Sequence, residues 1–108
     1  MAYDEVLAGR LRDLLTGAPA ISERKMFGGL CLLERGNMIV GVMGDDLLVR
    51  VGKEHKQAAL TRPGVREFDF TGRPMQGFVV VDGEQLDDEL LAEWVEAGRK
   101  FAASLPPK

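Results

Sequence analysis

The chain has 108 residues, of which 45% are apolar and 29% charged, with a formal net charge of −3 at pH 7. This composition predicts one soluble globular domain and excludes a disordered or fibrous chain. A single cysteine excludes an intramolecular disulfide, and because neither a spanning segment nor a signal peptide is evident, we expect a cytoplasmic protein without membrane contacts.

Both ends of the chain have the periodicity of amphipathic helices. Over residues 3–15, apolar residues recur at spacings of three and four, at Val6, Leu7, Leu11, Leu14 and Leu15. A stronger pattern covers residues 87–104, with a stripe of Leu86, Leu90, Trp94, Phe101 and Leu105 that Leu91 and Val95 widen. Asp87 is the expected N-cap of this closing helix.

Between the helices, short apolar runs alternate with turn residues, which indicates strands at residues 24–27, 30–34, 38–43, 47–51, 65–70 and 76–81. Arg35-Gly36-Asn37 and Gly44-Asp45-Asp46 tolerate positive φ over connections too short for a parallel crossover. A mainly antiparallel meander is therefore predicted. Residues 53–60 could form a short helix, which Arg62-Pro63-Gly64 would end.

These elements predict a two-layer α+β fold in a single domain, residues 1–108, with the closing helix packed on the sheet. The run at residues 38–43 is apolar on both faces, so its strand should lie centrally. Its second face could be covered within the chain or by a twin subunit.

Residues 24–29 read Arg24-Lys25-Met26-Phe27-Gly28-Gly29, which could be a phosphate cradle or a tight turn. A nucleotide-type phosphate loop leads from a strand into a helix, with spaced glycines and often a following Lys and Ser or Thr. Here the strand-like Leu30-Cys31-Leu32-Leu33 follows instead. We therefore predict that Met26 and Phe27 end a strand and that Gly28-Gly29 makes a turn or bulge.

The chain shows no complete catalytic or metal-binding motif, so we expect a protein that is not an enzyme and has no cofactor. His55 is the only histidine, and its charged surroundings indicate a solvated surface position. Cys31 lies in an apolar run, where a thiol behaves as a small buried hydrophobe. The acidic clusters are explained by turns and helix starts.

Basic residues are concentrated in the segment 50–73, and the candidate nucleic-acid contacts there are Arg50, Lys53, Lys56, Arg62 and Arg66. A nucleic-acid-associated regulator using this segment is one functional hypothesis. The sequence pI is about 5.1, whereas an autonomous nucleic-acid binder is strongly basic. Direct nucleic-acid binding is therefore the weaker expectation.

Several stretches together resemble the TfoX N-terminal domain family, and the likeness runs in the right order over nearly the whole chain. They are Arg24-Lys25-Met26-Phe27-Gly28-Gly29 after a first helix, Asp45-Asp46-Leu47 leading into Leu48-Val49-Arg50, Arg73-Pro74-Met75-Gln76-Gly77-Phe78-Val79, and Leu91-Ala92-Glu93-Trp94-Val95 with Ser104-Leu105-Pro106. The Met-Phe-Gly-Gly element is the most specific of them.

The resemblance implies a two-layer α+β domain able to form dimers. The family is named after bacterial regulators of natural competence, TfoX or Sxy, which assist the cyclic-AMP receptor protein at particular promoters and carry a second, C-terminal domain. We expect the present residues to form only the first domain, and the resemblance supplies no catalytic residues.

The leading functional hypothesis is a non-enzymatic cytosolic regulatory or adaptor module that binds another protein and could be linked to transcription or competence regulation, with a homodimer as a further option. Its candidate contact residues are Arg24, Lys25, Phe27, Gly28 and Gly29, because arginine and aromatic residues are common interface anchors. The alternative for Phe27 is a place in the core beneath the closing helix.

Overall fold

The structure is a computed structural model that describes residues 3–69 and 72–107. Its elements in chain order are α1 (Glu5–Leu14), β1 (Ile21–Met26), β2 (Gly29–Glu34), β3 (Asn37–Met43), β4 (Asp46–Arg50), α2 (Lys56–Leu60), β5 (Val65–Glu67), β6 (Phe78–Val81), a 3₁₀ turn (Gly83–Gln85) and α3 (Asp88–Ala103). The six strands form one sheet in the order β1-β2-β3-β4-β6-β5, and each neighbouring pair is antiparallel. The predicted α+β fold is confirmed.

Element boundaries differ from the predicted ones mainly at the ends. The first strand begins at Ile21, three residues before the predicted run, and the short helix covers only Lys56–Leu60. The fifth strand ends at Glu67, so Phe68 lies beyond it, and Phe70, also predicted in this strand, is outside the described residues.

Three successive hairpins use two-residue turns with positive φ. Both turn residues of the first, Phe27 (57°) and Gly28 (75°), and both of the second, Arg35 (54°) and Gly36 (82°), lie in the left-handed region. This is the pattern of type I′ turns, whose twist matches that of the flanking strands. The third turn begins with Gly44 at φ 58°. Such short connections fix the meander from β1 to β4.

Helices α1 and α3 pack on the same face of the sheet, which we call the helix face. From α1, the side chains of Leu7, Ala8 and Leu11 are buried there, together with Leu15 just after the helix. Val6 was predicted in this stripe but is 73% exposed. The prediction was too wide because only the side of α1 that carries positions 7, 8, 11 and 15 faces the core.

The closing helix is capped as predicted, since the carboxylate of Asp87 accepts a hydrogen bond from the backbone N–H of Leu90 at 2.8 Å. The predicted stripe missed the point of closest approach to the sheet. The register of β2 and β3 shifts between Leu32 and Leu33, which makes Ile39 an extra residue in β3. A Cβ added to Gly98 of α3 would lie 2.5 Å from the carbonyl oxygen of Ile39.

Two bidentate ion pairs join the helices to the sheet. The guanidinium of Arg12 on α1 donates to the carboxylate of Glu23 on β1 at 2.7 and 2.9 Å. Arg99 on α3 donates to Glu34 on β2 at 3.0 and 3.1 Å. In each pair the hydrogen bonds from arginine hold the pKa of the glutamate below its usual value, because they stabilise the charged form.

The close contact at Gly98 predicts that Gly98→Ala lowers the free energy of unfolding by about 2 kcal/mol, because the added methyl group collides with the β3 backbone. Alanine is the better helix former, so an uncrowded helix position should respond the other way. Gly9→Ala in α1, where no atom lies within 4 Å of the added Cβ, is the matched control and should gain up to about 1 kcal/mol. Urea unfolding measures both values, and a stabilised Gly98→Ala variant would contradict this packing.

The Arg99–Glu34 pair predicts a specific acid dependence. Because the folded-state pKa of Glu34 lies below its unfolded value of about 4.3, the pair stabilises the fold above that pH. This contribution is lost as the pH falls through the folded-state pKa. Glu34→Gln should therefore lower the free energy of unfolding by about 1 kcal/mol at neutral pH and by less in acid. A difference between wild type and variant that stays constant from neutral pH to about pH 3 would contradict the role of the pair.

Candidate interaction surface

The face of the sheet opposite the helices carries its own apolar cluster, and we call it the loop face. The buried members of the cluster are Cys31, Leu33, Met38, Leu48, Phe68 and Val80. Half-buried around them are Met26, Phe27, Met43, Met75 and Phe78. Four of the five methionines in the chain thus belong to this cluster. Because Cys31 is 1% exposed and Leu48 fully buried in the single chain, a twin subunit is not needed to cover the central strands.

A buried lysine ties together the part of the chain next to the loop face. The ammonium of Lys56, which is 5% exposed, pairs with the carboxylate of Glu67 and donates a hydrogen bond to the carbonyl oxygen of Met75 at 3.3 Å. The Met75 amide in turn donates to the carbonyl oxygen of Phe68 at 2.8 Å. We call residues 68–69 and 72–77 the covering loop, because Phe68 and Met75 contribute its apolar side chains to this face.

Phe27 occupies an unusual backbone conformation at the end of the loop face. A φ of 57° suits glycine or asparagine, and a bulky side chain there costs on the order of 1–3 kcal/mol. The ring of Phe27 packs edge-to-face on that of Phe68, with centroids 5.3 Å apart and planes at 82°. Such ring pairs are favourable. Phe27 thus belongs to the loop face, and the interpretation that placed it beneath the closing helix is wrong.

The two glycines of the motif have separate roles. Gly28 is the second turn residue, with φ 75° and no atom near an added Cβ. Gly29 is already the first residue of β2, and a Cβ there would lie 2.0 Å from the carbonyl oxygen of Val42. The predicted turn between strands is confirmed, but it consists of Phe27 and Gly28, whereas Gly29 is needed for close strand packing.

Strand β1 leads into this turn along one edge of the sheet. Within the described residues it pairs only with β2, so its other side is an edge. Ser22, Glu23, Arg24 and Lys25 are all exposed. Since Arg24 is paired in register with Cys31, it lies on the loop face, and Lys25, paired with Leu30, lies on the helix face. The structure therefore brings Arg24 and Phe27 to one corner of the loop face.

The basic segment is brought together less completely. Lys56 is buried against Glu67, so it is not available to a phosphate, and Arg66 pairs with Asp46 at 2.8 Å. The guanidinium of Arg62 stacks 4.4 Å from the ring of Trp94.

Arg50 lies between two aromatic rings, 5.7 Å from Phe78 and 5.2 Å from Phe101. Lys53 is exposed. Four of the five predicted nucleic-acid contacts are thus engaged within the domain.

Cys31 and His55 lie in different environments, one buried and the other exposed. Burial raises the pKa of the Cys31 thiol to about 11, so the thiolate that a nucleophile requires is scarce at neutral pH. His55 is exposed, as expected, and precedes α2. The methionines and Phe68 were not recognised as parts of one surface. Strand alternation does not show it, because Phe68 and Met75 lie outside the strands and Met38 and Met43 share a face only through the extra residue Ile39.

A comparison with protein-family models matches residues 13–102 to the TfoX N-terminal domain. The chain belongs to the TfoX N-terminal domain family. The match covers most of the chain and confirms the resemblance carried by the Met-Phe-Gly-Gly element and the closing helix. Neither the curated proteins nor the solved structures compared with this chain gave a match.

The family points to a role in competence or regulation and is not a known family of enzymes. In this TfoX N-terminal domain, no helix of the described residues has the length and hydropathy of a membrane-spanning segment. The most specific family element lies at the corner formed by Arg24, which is exposed, and Phe27, which is half-buried.

The different roles of the two glycines can be separated by substitution. Gly28→Ala should lower the free energy of unfolding by about 1 kcal/mol, because alanine is strained at positive φ. Gly29→Ala should cost more, about 3 kcal/mol, because its methyl group meets the β3 backbone. Gly28→Asn, which tolerates positive φ, serves as the control and should cost least. Equal losses for Gly28→Ala and Gly29→Ala in thermal unfolding would contradict this division.

Proposed function

We propose that the domain is a regulatory or adaptor module that binds another protein through the edge of β1 and the Phe27-Gly28 turn. The observation that carries the proposal is the left-handed backbone of Phe27, at φ 57°. A sequence selected only for the turn would place asparagine or glycine there. Strain of this kind persists where an aromatic side chain is needed at a particular place.

The edge of β1 supplies the second part of the surface. An unpaired edge strand presents backbone donors and acceptors to which an extended peptide can add as a further strand. The charges of Glu23, Arg24 and Lys25 oppose indiscriminate pairing of this edge. A partner segment must therefore offer an acidic or polar side chain to Arg24 and an apolar one to Phe27.

The methionines give this surface its adaptability. Met26, Met43 and Met75 are half-buried at the margin of the loop-face cluster. Unbranched thioether side chains repack readily, which suits contact with more than one partner sequence. A second copy of the chain is the other occupant that this edge could take, with β1 pairing to β1.

The nucleic-acid hypothesis finds less support. Arg50, Arg62 and Arg66 are held by contacts within the domain, and Lys56 is buried. Lys53 remains as an exposed cation of that segment and is useful as a control.

The test is capture of partners from a lysate of the native host by wild type, Arg24→Glu and Lys53→Glu, with and without nuclease. Both substitutions reverse one exposed charge, so they are matched in net charge. We expect a protein that survives nuclease, is retained by Lys53→Glu and is lost by Arg24→Glu, since like charges brought together at an interface cost several kcal/mol.

Two results would contradict the proposal. Partners that disappear with nuclease and with Lys53→Glu would favour the nucleic-acid hypothesis. A protein retained by Arg24→Glu would place the binding surface elsewhere. Sedimentation of the same variants distinguishes the second copy, because a β1-to-β1 dimer would dissociate in Arg24→Glu and not in Lys53→Glu.

A further inference from the structure

A pocket of about 290 Å³ lies on the helix side of the domain, between α2 and α3. Its apolar lining includes Val51, Ala59, Trp94, Ala97 and Phe101. Trp94 and Ala59 belong to the helix-side core, so the pocket is separate from the loop face that carries Phe27. The volume is at the lower end of the range for small-molecule sites.

Besides this apolar lining, the pocket is lined by polar side chains that are all basic. They belong to His55, Arg62 and Lys100, and no carboxylate of the described residues is among the lining side chains. His55 directly precedes α2, Arg62 follows that helix, and Lys100 lies on α3. All three residues are exposed. Folding thus gathers positive charge at one opening of a domain whose net charge is −3.

Trp94 lines the pocket but is itself almost fully buried. The residue is 2% exposed, and its buried indole N–H has no hydrogen-bond acceptor in the described part of the chain. This nitrogen has almost no accessible surface, so a ligand in the pocket does not reach it. The guanidinium of Arg62 lies over the same indole, at 4.4 Å from the ring centroid.

We propose that this pocket binds a small organic anion whose carboxylate is held at the basic rim by Lys100 and whose apolar body packs against Ala97 and Phe101. The rim supplies charge-assisted hydrogen bonds, which are the stronger kind, and the aromatic wall favours a flat apolar body. Inorganic anions would use the rim and leave the wall unfilled. Neutral compounds of the same shape would use the wall and leave the rim unpaired.

The single tryptophan makes the pocket its own reporter. The protein is titrated with benzoate while the fluorescence of Trp94 is recorded. Benzamide serves as the neutral isostere, and inorganic phosphate as the anion without an apolar body. We expect a saturable change with benzoate and at least tenfold weaker binding of benzamide and phosphate, because each lacks one of the two contacts. Amide chemical shifts of α2 and α3 provide an independent reading of the same titrations.

Three variants sharpen the test. Lys100→Gln should weaken benzoate binding about fivefold to tenfold, whereas Lys53→Gln, with the same change of charge outside the pocket lining, should not alter it. Ala97→Leu should abolish binding by filling the pocket while its circular dichroism shows a folded domain.

Benzoate that changes neither the fluorescence nor the amide shifts would overturn the proposal. If benzamide bound as tightly as benzoate, the requirement for an anion would be contradicted. If phosphate bound as tightly, the requirement for an apolar body would be contradicted. If Lys100→Gln and Lys53→Gln weakened benzoate binding equally, the change in net charge alone would explain the loss, which would contradict binding by Lys100. None of these results bears on the β1 edge, which lies elsewhere on the domain.

Discussion

Burial of the central strands on both faces is the constraint on which this small domain depends. On the helix face, α1 and α3 cover β2, β3 and β4, and Gly98 brings α3 against the β3 backbone. On the loop face there is no helix among the described residues, and the covering loop contributes there instead. A loop is a weaker cover than a helix because it has few internal hydrogen bonds. The buried ammonium of Lys56 compensates by holding both Glu67 and the Met75 carbonyl.

This asymmetry accounts for the position of the proposed interaction surface. Phe27 is drawn onto the loop face by Phe68, and the short β1–β2 turn must then accept an aromatic residue at positive φ. The helix side of β1 is held by the Arg12–Glu23 pair, whereas its outer edge is exposed along the strand. A rigid hairpin with one open edge and an aromatic corner suits binding of an extended segment. The family's regulatory role is consistent with such a module.

The sequence predicted the fold class, both long helices and the hairpin order, because periodicity and turn residues report directly on local structure. It failed where tertiary contacts decide. Lys56 was expected on the surface, as lysines usually are, but Glu67 and the covering loop enclose it. The periodicity of α3 did not indicate the role of Gly98, which follows from its close approach to the backbone at the Ile39 bulge. The motif that contains Arg24 and Phe27 could be recognised in the sequence. The backbone strain at Phe27 and the place of this corner on the loop face are visible only in the three-dimensional structure.

Hydrogen exchange of the backbone amides, with and without the captured partner, tests the β1 edge most directly. In the isolated domain, the amides of β1 that point away from β2 should exchange rapidly, since no strand of the described residues covers them. If the edge is the binding surface, the partner should slow exchange in β1 and in the Phe27-Gly28 turn and leave the segment 50–66 unchanged. Slowed exchange confined to residues 50–66, with β1 unchanged, would contradict it.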